Sequence, residues 1–77
     1  MDRFYKQIKT AIGIRMFTYK GVHSAHTDRY QVSVLNQAAL EYFTIIKTND
    51  CWIFEHPAFV PVWVQEVEEE VLLKKCE

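Results

Sequence analysis

With two glycines and two prolines in 77 residues, the chain has no glycine-rich loop to cradle a phosphate and no Pro/Gly/Ser-rich linker at which to divide it. Internal repeats and low-complexity tracts are also lacking, so residues 1–77 read as a single small globular domain. The two cysteines, Cys51 and Cys76, permit one bridge at most. No basic-then-apolar leader opens the chain, so the expectation is two reduced thiols in a cytoplasmic protein. No apolar run approaches the about 20 residues that a bilayer-crossing helix needs. The longest, from Ala58 to Val64, contains Pro61, and no membrane partner is expected.

Size sets further bounds. A chain this short buries only roughly 60% of the surface its unfolded form exposes. It is too small to enclose a pocket of the usual substrate-binding size without a second subunit. An enzyme is therefore not expected, and no cofactor is.

What is present is a folding composition, 49% hydrophobic and 25% charged, with eleven aromatic residues spread from Phe4 to Trp63. The net charge of −1 conceals a division: residues 1–30 carry six cations against two carboxylates, and residues 31–77 carry three cations against eight.

Residues 2–12 read as a short amphipathic helix. Asp2 stands at its cap, Phe4, Ile8, Ala11 and Ile12 lie on one face, and Gly13 suits the left-handed position that ends it. Arg3, Lys6 and Lys9 would then share the outer face. A hairpin is expected across residues 14–35, because Ile14 to Lys20 is rich in strand formers and Tyr30, Val32 and Val34 alternate with polar residues. Gly21 to Asp28 is its polar loop.

Residues 36–47 can be read in two ways. Asn36 followed by Gln37, Ala38, Ala39, Leu40 and Glu41 starts like a helix, whereas Tyr42 to Ile46 are strand formers. The helix is the preferred reading. Cys51 to His56 reads as a strand stopped by Pro57. Pro61 suits the first turn of a C-terminal helix with Val60, Trp63, Val64, Val67 and Val71 on one face, and Glu70 and Lys74 are spaced for an i, i+4 pair. The fold class expected is α+β: an N-terminal amphipathic helix, a small antiparallel sheet and a C-terminal helix. A small all-β barrel is the fallback if residues 39–67 are strands.

Candidate chemistry is sparse. His23, His26, Cys51 and His56 are the only grouping with metal-ligand character, but one thiolate with scattered imidazoles is a poor match to structural zinc, and no metal site is assigned. Ser24, His26 and Asp28 alternate along a loop, and closeness in sequence does not make a triad.

The function expected is that of a small protein-binding regulator or inhibitor, of a size common among short phage- and virus-encoded proteins. Glu66, Glu69 and Glu70 would form a docking face for another protein, with whichever aromatics stay exposed, Trp52 and Trp63 first. The complementary charges of the two halves also suit a homodimer. The alternative is nucleic-acid binding through Arg3, Lys6, Lys9 and Arg15.

Overall fold

A computed structural model describes residues 2–23 and 28–76. Strict alternation governs its first two-thirds. In β1 (Arg3–Thr10) the side chains of Phe4 and Lys6 are half-buried and those of Ile8 and Thr10 buried, while Arg3, Tyr5, Gln7 and Lys9 between and before them are exposed. The same two-residue period runs through β2 (Gly13–His23), β3 (Asp28–Asn36), β4 (Ala39–Thr48) and the short β5 (Cys51–Phe54). The five strands form one antiparallel sheet in the order β1-β2-β3-β4-β5, a meander curled into a half-barrel. A 3-10 turn at Pro57–Phe59 follows, then two one-turn helices, α1 (Val62–Gln65) and α2 (Glu68–Val71).

The α+β expectation is thus corrected to an all-β meander, and the N-terminal helix to a strand. Phe4 and Ile8 are four residues apart, a spacing that puts them on one face of either a helix or a strand. Pairing with β2 decides the matter: Phe4 lies opposite Tyr19 and Ile8 opposite Arg15. Ala11 and Ile12 become the turn of a hairpin, and Gly13, at φ 106°, supplies the positive dihedral there instead of capping a helix.

The preferred helix over residues 36–47 is overturned as well. Gln37 and Ala38 form a tight turn with Gln37 at φ 56°, and the strand formers from Tyr42 to Ile46 are paired along β3, with Ile45 and Ile46 also paired to β5. The hairpin across residues 14–35 forms as expected, with Phe17 paired to Val34 and Thr18 to Ser33. Its strands run longer than expected, since Gly21 to His23 belong to β2.

The single C-terminal helix is replaced by two fragments, interrupted at Val67, whose φ of −115° and ψ of 31° leave the helical region. β-branched valines, stiff at χ1, weaken a helix here. Glu70 and Lys74 do not form the expected helical pair, because α2 ends at Val71. Instead Lys75 pairs with Glu68 at 2.8 Å.

The inner face of the curl holds the core: Ile8, Phe17, Tyr19, Val32, Val34, Phe43, Ile45, Trp52 and Phe54. Val60, Val64, Val71 and Leu72 close over it. Phe4 stacks on Tyr19 with ring centroids 4.6 Å apart, and the buried Tyr19 hydroxyl donates to the Val71 carbonyl, tying α2 to the middle of the sheet.

Beyond α2 the chain returns to β5. The Trp52 N–H donates to the Lys74 carbonyl at 2.6 Å, and Trp52 and Lys75 form a parallel bridge. Cys51 and Cys76 are joined by a disulfide with their Cα atoms 5.0 Å apart, which corrects the expectation of two free thiols. That distance lies within the range a disulfide requires, and nothing in a separation of 25 residues reveals it.

Candidate binding surface

Because the strands alternate, each contributes an outer row as well as an inner one. The outer rows are unusually apolar toward the end of the sheet that carries the turns at residues 11–12 and 37–38. Ile14 lies opposite Lys9, Met16 opposite Gln7, and Leu35 opposite Leu40. Next to these, Tyr42 lies opposite Ser33 and Tyr5 opposite Thr18. Ile14, Met16, Leu35, Leu40, Tyr5 and Tyr42 are all at least half exposed, and nothing among the described residues covers them.

The patch turns the corner of the sheet at β4. β5 pairs with β4 only from Ile45 to Thr48, so the first half of β4 has no strand on that side. An open groove of about 470 Å³ runs there between Leu40, Glu41 and Tyr42 on one bank and the segment from Ala58 to Val62 on the other. Phe59 is 80% exposed and Val62 72% exposed, and both remain in solvent above it. The His56 ring meets Phe59 edge-on with centroids 6.2 Å apart, which orients the phenyl ring at one end of the groove. One oxygen of Glu41, Oε2, is buried without a hydrogen-bond partner.

The residues singled out from sequence fall in several places. Glu66, Glu69 and Glu70 are exposed, the first at the end of α1 and the others in α2. Trp52 is not exposed: only 9% of it reaches solvent, within the core. Trp63 is half-buried, its ring 6.2 Å from that of Phe17. The aromatics that do stay exposed are Phe59, Tyr5 and Tyr42, which composition alone did not single out.

The four cations of the nucleic-acid alternative are divided by the strand period. Arg3 and Lys9 lie on the outer face, whereas Lys6 turns inward and its ammonium donates to the Glu70 carbonyl. Arg15 follows the inner row of β2, and its guanidinium donates to the Ile14 carbonyl at 3.0 Å. The helix face that would have gathered Arg3, Lys6 and Lys9 does not exist.

Of the residues weighed as metal ligands, Cys51 is consumed by the disulfide. His26 lies outside the described residues, as does Ser24 of the alternating Ser24, His26 and Asp28. Among the described residues no group of three His, Cys, Asp or Glu side chains could hold a metal ion, and no helix is long and apolar enough to cross a membrane.

Electrostatically the outer face is mixed. Arg29 meets Glu55 at 3.4 Å at the end of the sheet away from the apolar patch. Two buried or half-buried phenols have raised pKa values. Tyr19 is held neutral by desolvation, and Tyr30 is pushed up by desolvation first and then by the carboxylates of Asp2 and Asp28. Neither hydroxyl belongs to the outer patch. The class that the fold defines is a five-stranded antiparallel half-barrel closed by short helical turns. No protein family, curated protein or solved structure matches the chain.

Proposed function

We propose that this chain is a small, non-enzymatic regulator or inhibitor that acts by binding another protein. The observation that supports the reading is the outer patch running from Ile14 and Met16 through Leu35 and Leu40 to Tyr42, continued round the sheet edge by Phe59 and Val62. Exposed apolar side chains scattered singly need no explanation, whereas a contiguous patch rimmed by polar residues marks an interaction site. Aromatic anchors such as Tyr42 and Phe59 supply much of the binding energy at such surfaces. The carboxylates of Glu66, Glu69 and Glu70 would favour a partner with complementary positive charge.

The disulfide between Cys51 and Cys76 bears on where it works. Such bonds persist in oxidising surroundings, so the proposal places the bonded form outside the reducing cytoplasm that the cysteine count suggested.

The test is retention of a partner by the immobilised full chain. Wild type should hold a protein from a lysate of its source, and a Leu35→Ser, Tyr42→Ser double variant with an unchanged melting curve should lose it. Equal retention by both, or by neither, overturns the reading.

A further inference from the structure

We infer that the groove beside β4 takes an extended segment of the partner as an added strand, and that it selects a lysine or arginine flanked by apolar residues. The inference deepens the protein-binding reading and rests on it. In antiparallel pairing, a residue's N–H and C=O face the same neighbour, and successive residues alternate sides. The Glu55 N–H donates to the Thr44 carbonyl at 2.9 Å, so the even-numbered residues of β4 face the β5 side. Tyr42 and Leu40 continue that series past the point where β5 ends. Their N–H and C=O groups therefore face the groove, and no hydrogen bond from another described residue reaches them. Four unpaired backbone groups in register are the template that strand addition uses.

Side chains then set the sequence of the incomer. Leu40 and Tyr42 stand on the outer face, and residues directly opposite them on an added strand would share that face, against the exposed Phe59 and Val62. Glu41, between them, points inward and lines the groove, with Oε2 buried and unpartnered. A buried carboxylate oxygen without a donor is unfavourable, and the position directly opposite, with Cβ atoms roughly 5 Å apart, is where a cation meets it. The complementary motif is apolar–basic–apolar.

The test titrates the full chain with the peptide acetyl-Thr-Val-Lys-Val-Thr-amide, followed by amide resonances and hydrogen exchange. Saturable binding should slow exchange at Leu40 and Tyr42 and leave the Glu41 amide, which faces β3, unchanged. Replacing the central Lys by Glu should weaken binding about tenfold or more, and Glu41→Gln should erase that preference. N-methylating the two valines should abolish binding while leaving the protein untouched, which keeps the test independent of whether any variant folds. Peptide that leaves Leu40 and Tyr42 exchange unaltered, binds equally well with Glu or with N-methyl groups, or is preempted by self-association of the chain across this edge overturns the inference. If the captured partner survives Leu40→Pro, which removes an outward N–H, but is lost with Leu35→Ser, Tyr42→Ser, strand addition fails while the protein-binding reading stands.

Discussion

From β2 and β3, Phe17, Tyr19, Val32 and Val34 point inward, and Ile14, Met16, Val22 and Leu35 point outward. These four outer residues, which share their face with Thr18, Lys20, Gln31 and Ser33, are as apolar as the four inner ones, yet the inner four are fully buried and the outer four about half exposed. What separates them is cover. The inner row is closed by Val60, Val64, Val71 and Leu72, held in place by the Tyr19–Val71 hydrogen bond and the Cys51–Cys76 disulfide. A two-residue period therefore says that a strand has two faces, but the rest of the chain decides which face becomes core.

Breaking the inner row should produce the largest effect. Phe17→Ala removes a fully buried ring that contacts Phe43 and Trp63, and a loss of about 3–5 kcal/mol is expected by denaturant unfolding. For a domain of this size that is a large share of its stability. Opening the disulfide comes next, at about 3.5 kcal/mol for a loop of 25 residues. Melting with and without reductant measures it, and a red shift of tryptophan emission should report release of the tail from Trp52. An unchanged melt would mean that the helical cover holds without its covalent tie.

A smaller effect is expected at the hydrogen bond between the faces of cover and sheet. Tyr19→Phe should cost about 1 kcal/mol at neutral pH by leaving the Val71 carbonyl unpaired. The same variant carries a pH signature. Burial raises the Tyr19 pKa, so the fold holds the neutral phenol, while the unfolded chain ionises above about pH 10. The stability this provides is complete below that value and drains away as pH rises through the folded pKa. Alkaline unfolding should be steeper for wild type than for Tyr19→Phe. At the turn joining β3 and β4, Gln37→Gly should gain about 0.5–1 kcal/mol by relieving φ 56°, read as a higher Tm. Smallest of all, Leu35→Ser on the outer row should move stability by no more than about 0.5 kcal/mol. A loss comparable to that of Phe17→Ala would erase the distinction between the faces.

The sequence made the β2–β3 hairpin legible, because Tyr30, Val32 and Val34 alternate with polar neighbours and no helical spacing competes. It hid β1, since Phe4 and Ile8 satisfy both periods and the deciding partner, β2, lies across a turn. It hid β4 because Ala38 to Glu41 favour a helix locally, a preference that pairing with β3 overrides. The exposed carboxylates at Glu66, Glu69 and Glu70 were readable from composition. The groove was not: it arises where β5 stops short of β4, and the length of a neighbouring strand leaves no mark in residues 39–43. Leu35 and Leu40, flanking a two-residue turn, were the one available signal, since side chains directly opposite across a hairpin share a face.

The return of residues 74–75 along β5 also bears on how the sheet resists piling into fibrils. An open sheet grows by edge-to-edge stacking from its flanks. Here the flank at β5 is met at Trp52 by the chain's own residues 74–75, and the other flank, β1, carries the exposed cations Arg3 and Lys9, a charge pattern that disfavours pairing of identical edges. Open-ended polymerisation is discouraged at both sides, while the short gap beside β4 stays accessible to a single strand.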